Sequence, residues 1–121
     1  MTTTIFTLEG KRHEITLTDD SRKLFFDYLN DANNWSGEPL VGGNVGRRPA
    51  DKGNLTDLKR KGLVTTYAEE AGDQPYGAPP SSWMRFTKLG YAFALDCDPN
   101  LDLCEHCYIS DDDKAALGLD N

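Results

Sequence analysis

Hydrophobic positions change their spacing several times along this 121-residue chain. Ile5-Phe6-Thr7-Leu8 and His13-Glu14-Ile15-Thr16-Leu17 alternate with a period of two about Glu9-Gly10-Lys11-Arg12. That alternation predicts an N-terminal β-hairpin turning at Gly10. The period then lengthens: Leu24, Phe25, Tyr28, Leu29, Ala32 and Trp35 recur at helical spacing. They follow Thr18, a residue suited to an N-cap, and Asp19 and Asp20, whose charge favours the first turn of a helix. A helix over 19–33 is predicted.

Residues 34–46 hold four glycines and a proline, which excludes a long helix there and leaves room for one turn around Pro39 and Leu40. In the next stretch Pro49 fits a first helical turn, Leu55 and Leu58 form an apolar ridge, and Gly62 stands as a stop after Lys59, Arg60 and Lys61. Gly53 weakens the front of this helix by about 1 kcal/mol relative to Ala, which moves its expected start toward Asn54. Val64–Ala68 and Trp83–Thr87 read as strands joined by a Gly-, Pro- and acid-rich loop over Glu69–Ser82. Thr87 then caps a helix over Lys88–Leu95, and Asp111–Leu117 reads as a short helix ending at Gly118.

Length and composition fit one packed domain, 1–95, followed by an acidic cysteine-rich tail, 96–121. No apolar run reaches the roughly 18–20 residues of a membrane span. The first residues lack the basic and hydrophobic blocks of a signal peptide, so a cytoplasmic location is expected. Three cysteines confined to 97–107 make no disulfide framework and suit a reducing compartment. The net charge of −7 disfavours a polyanionic partner only as an average. Residues 47–61 carry six basic groups against two acidic ones, a local charge of +4, and residues 96–121 carry one basic group against eight acidic ones, −7. Cations and anions are segregated along the chain.

Asn54-Leu55-Thr56-Asp57-Leu58-Lys59-Arg60-Lys61-Gly62-Leu63-Val64 and Trp83-Met84-Arg85-Phe86-Thr87-Lys88-Leu89-Gly90 resemble the L-x-x-L-x-x-K-G-L-V … W-x-x-F-T-x-x-G pattern of winged-helix proteins. With Asn34–Asn44, they are similar to small winged helix-turn-helix proteins carried by phages and prophages. The resemblance covers about residues 18–95. It implies an α+β winged helix-turn-helix with an N-terminal β-hairpin added, in which 54–64 ends a recognition helix and enters the wing. It also implies a small DNA-binding regulator in the cytoplasm of a bacterial host. Many winged helices bind proteins instead, so the alternative is a non-enzymatic module that inhibits or redirects a host machine.

On the DNA reading, Arg47, Arg48, Lys52 and Asn54 lie at or before the helix start, where base edges and phosphates are met. Arginine suits guanine and asparagine suits adenine through paired hydrogen bonds. Lys59, Arg60 and Lys61 would grip phosphate, or simply stabilise a helix C-terminus. The 69–82 loop carries only the charges of Glu69, Glu70 and Asp73, unlike a wing that lies along DNA. Its Tyr76, Pro75, Pro79 and Pro80 suit a protein contact better.

Cys97, Cys104 and Cys107 leave two readings open. A C-x-x-C turn aims two thiolates at one ion, Cys97 supplies a third, and His106 or His13 completes tetrahedral zinc. Otherwise the three are reduced thiols without metal. The surrounding acids raise thiol pKa values and disfavour nucleophilic or redox chemistry. No phosphate-binding, dinucleotide, metalloprotease or nucleophile-elbow motif occurs, and an enzyme is not expected. A homodimer is the usual way to read a palindromic DNA site.

Overall fold

A computed structural model describes residues 1–35 (backbone only at 33–35), 38–68, 82–101 and 111–118. These residues form a mixed α+β chain: a two-stranded hairpin, a second small sheet and four helices. Strand β1 (Thr2–Leu8) pairs antiparallel with β2 (Lys11–Leu17), and Leu8 faces Lys11 across the turn. The loop is therefore two residues, shorter than the predicted four. Glu9 and Gly10 both have positive φ, 52° and 79°, the backbone of a type I′ turn whose twist matches the strands it joins. The strands also begin earlier than the apolar alternation indicates, because β-branched Thr2, Thr3 and Thr4 extend the ladder without contributing a hydrophobic signal.

Thr18 caps α1 (Asp19–Trp35): its Oγ1 accepts the Ser21 amide at 3.1 Å. Ser21, Leu24, Phe25, Tyr28, Leu29 and Ala32 are buried on one face of this helix. The turn predicted at Pro39 and Leu40 is instead extended. Val41 donates its amide to the Ser82 carbonyl and Met84 donates to the Pro39 carbonyl, both at 2.9 Å, so residues 39–41 lie along an edge of the second sheet. That sheet pairs β3 (Val64–Ala68) with β4 (Ser82–Phe86). Helix α2 (Asp51–Arg60) precedes β3; it starts three residues before Asn54 and carries Gly53 in its first turn. The segment joining β3 to β4 lies outside the described residues.

The end of α2 is a complete Schellman closure. Leu63 donates to the Leu58 carbonyl and Gly62, at φ 78°, donates to Lys59. The start of α3 (Lys88–Cys97) is built directly on it. Thr87 Oγ1 donates to the Gly62 carbonyl at 2.6 Å and accepts the Gly90 amide at 2.9 Å, while the Thr87 amide donates to Leu63. A Cβ at Gly90 would sit 2.1 Å from the Leu63 oxygen, so this position admits only glycine. α3 runs two residues past the domain boundary expected at 95. α4 (Asp111–Ala116) stops one residue before the expected Leu117, Gly118 follows with φ 73°, and Leu117 packs against the core.

Phe25 joins the layers: its ring meets Phe86 at 5.4 Å and Phe93 at 5.3 Å, both edge-on. Phe93 in turn meets Phe6 of the hairpin at 6.3 Å. Phe6, Leu8, Ile15 and Leu17 are thereby buried against α1 and α3. No helix among the described residues is long and apolar enough to cross a membrane.

Two glycine substitutions of opposite sign test this packing in urea unfolding. Gly90→Ala drives a methyl into the Leu63 backbone and is expected to cost about 3 kcal/mol, the upper range of overpacking. Gly53→Ala meets nothing within 4 Å and should stabilise by about 0.5–1 kcal/mol.

Candidate nucleic-acid interface

The basic window 47–61 is divided by the helix that contains it. Leu58 is buried on the inner face of α2 and Leu55 packs partly against the core. Lys52, Thr56, Lys59 and Arg60 fall on the opposite side at helical spacing, and all four are exposed. Arg47, in the segment leading to the helix, is exposed as well. Among the described residues, the side chains of Arg47, Lys52, Lys59 and Arg60 form no ion pair. The result is an open stripe of four cations.

The other two predicted DNA-contacting residues are engaged within the chain. Arg48 donates to Asp51 through Nε at 3.2 Å and Nη2 at 2.9 Å, and its amide donates to the same carboxylate at 3.3 Å. Asn54 Nδ2 donates to Asp51 Oδ1 at 3.2 Å, and its carbonyl accepts from buried Ser21 on α1 at a long 3.5 Å. Asp51, 4% exposed, is therefore the organising residue at the front of α2, and the Arg48 hydrogen bond holds its carboxyl below the ordinary value. Sequence reasoning missed it. The available signal was Arg48-Pro-Ala-Asp51, an acid three residues after Arg48, the spacing at which a side chain reaches back to an orphan amide.

Tyr28 fixes the approach to this helix. Its hydroxyl, whose pKa burial raises, accepts the Gly42 amide at 3.3 Å. Gly46 lies against the same hydroxyl: a Cβ there would come within 2.2 Å of it, and φ is 79°. Asn44 donates to Asp31 at 3.2 Å. These contacts seat 42–46 on α1 and deliver Arg47 and Arg48 to the start of α2. Between α1 and this segment lies a polar cleft of about 480 Å³, with Lys23, Asp27, Asp31 and Asp51 opposite Arg47 and Arg48.

Three further cations are occupied. Lys61 donates to the Thr16 carbonyl and pairs with Asp57 at 3.6 Å, which ties α2 to the hairpin. Arg85 is bound bidentately by Glu38 at 2.8 and 3.2 Å and lies 4.9 Å from the Tyr67 ring centre. Lys88 pairs with Glu9.

Cys97 Sγ accepts from Arg22 Nη1 at 3.5 Å and lies 3.9 Å from Thr4 Oγ1. His13 stacks on Phe6 at 5.7 Å. Cys104, His106 and Cys107, the other zinc candidates, lie outside the described residues, as does the loop containing Tyr76. No group of three or more His, Cys, Asp or Glu side chains able to hold a metal occurs among the described residues. Comparison with protein-family models, with curated proteins and with solved structures gives no match.

A depressed carboxylate pKa stabilises the fold above its unfolded value, near 3.9, and that contribution is lost as pH falls through the folded value. Asp51→Asn is therefore expected to flatten the loss of stability below about pH 4. Near neutrality Asp51→Ala should cost roughly 1.5–3 kcal/mol, the scale of hydrogen bonds to a charged group. Urea midpoints measured across the acid range check both.

Proposed function

We propose that this chain is a winged-helix-type DNA-binding protein, a small regulator that presents α2 to the duplex. The observation carrying the reading is the set of cations Lys52, Lys59 and Arg60 on α2 and Arg47 in the segment before it, exposed and without ion-pair partners among the described residues, while Leu58 of the same helix is core. The order of elements supports it. After α1, a short extended segment at 39–41 adds to β4, then α2 leads into the β3–β4 hairpin, then α3 closes the unit. A winged helix uses the same succession, with a further short helix where this chain has the compact turn 42–45.

The reading assigns different work to the six predicted residues. Arg47, Lys52, Lys59 and Arg60 neutralise phosphates, and that supplies affinity without sequence information. Arg48 and Asn54 start from internal hydrogen bonds. Arg48 keeps guanidinium donors beyond those given to Asp51, and its side chain is 53% exposed, so it can meet a guanine while still anchored. An Arg held by an internal carboxylate is oriented in advance, and less side-chain freedom is lost on binding.

Fluorescence anisotropy with a labelled random duplex tests this. Four phosphate-neutralising cations predict that log affinity falls against log salt with a slope of roughly −3.6, at about 0.9 per contact. Lys59→Ala with Arg60→Ala should bring the slope to roughly −1.8 and leave stability within about 0.5 kcal/mol. Absence of duplex binding at low salt would end the DNA reading. Stoichiometric capture of one bacterial protein in its place would support the alternative, a non-enzymatic module that redirects a host machine.

A further inference from the structure

We infer that β1 is a self-association edge, joining two copies of this chain through an antiparallel β1–β1 seam centred on Ile5. The inference is independent of the DNA reading. Among the described residues β1 pairs only with β2, and no other backbone hydrogen bond reaches Thr2–Leu8. Among the described residues, one whole side of the strand therefore keeps its donors and acceptors open.

Edges of that kind are ordinarily protected by charge, proline or a bulge. β1 has none of these. Its sequence Thr-Thr-Thr-Ile-Phe-Thr-Leu is free of charge and consists of strand-favouring residues. The companion strand differs: β2 carries Lys11, Arg12 and Glu14, and Lys61 of α2 reaches its Thr16 carbonyl. Strand β3 is also free of charge but is shorter, five residues against seven. The longer uncharged edge is β1.

Its sequence also selects the occupant. Ile5 is the middle residue of Thr2–Leu8 and is 51% exposed although it lies within a strand. A two-fold axis through Ile5 sets Ile5 against Ile5 of the second copy and Thr3 against Thr7. Thr4 then faces Phe6, and Thr2 faces Leu8. No charge meets a charge at any position, and the exposed isoleucine is covered by its own counterpart. A second chain thus supplies β-formers at every position of the register, with closed two-fold symmetry. A seven-residue strand contact is small beside a standard interface, so the dimer forms reversibly with concentration.

Sedimentation of the full chain under reducing conditions tests the seam. The wild type should show a concentration-dependent monomer–dimer equilibrium, and Ile5→Lys, which opposes two like charges on the axis, should weaken it at least ~10-fold. Circular dichroism should show the variant folded, as expected for an exposed site. Opposed antiparallel residues have Cα atoms about 4.5–5.5 Å apart, within disulfide range. Ile5→Cys under mild oxidation should therefore yield a dimer whose linked peptide joins position 5 to position 5, whereas Glu14→Cys on β2 should not link to itself. A wild-type chain that stays monomeric at the highest soluble concentration overturns the inference. So does a dimer that is indifferent to Ile5→Lys and gives no 5–5 link.

Discussion

The first turn of α3 lies against the carbonyl of Leu63, and the placement of α2 and β4 follows from that contact. Gly90 allows the approach, since any side chain there would overlap the carbonyl oxygen. Thr87 uses one hydroxyl twice, donating to the last carbonyl of the α2 closure and accepting from the α3 amide. A helix end that would otherwise leave unsatisfied groups is thus completed by the beginning of the next helix. With that junction fixed, the buried side of α2 is committed to Leu58 and Leu63, and its cations have only the outer side left.

Phe25 carries the same constraint into the hairpin. Its contacts with Phe86 and Phe93 bind α1 to both sides of the junction, and Phe93 passes the packing on to Phe6. Aromatic pairs of this kind, two edge-on and one tilted, add roughly 0.5–1.5 kcal/mol per pair beyond area burial. Three of them in series hold a two-stranded hairpin that would be only marginally stable by itself.

Most elements were legible because each had two concordant local signals. Thr18 and Thr87 marked helix starts ahead of apolar periodicity, and Gly62 marked a stop after three cations. The edge segment at 39–41 was not legible. Its partners are Ser82 and Met84, more than forty positions away, and Pro39 reads locally as a turn residue. For the candidate interface, helical phase relative to Leu55 and Leu58 sufficed to expose Lys52, Lys59 and Arg60. It could not show that Arg48 and Asn54 share Asp51, because such sharing depends on side-chain rotamers. Nor could it show that Lys61, adjacent to two cations that form no ion pair among the described residues, is spent on Thr16.

The clamp between Gly62 and Thr87 also makes the helical junction independent of the length of the β3–β4 connection. It closes the base of the β3–β4 excursion with backbone and cap hydrogen bonds that involve none of the residues from 69 to 81. Lengthening a closed loop is inexpensive, about 0.6 kcal/mol per doubling. Variation in length between Ala68 and Ser82 therefore leaves the helical junction intact.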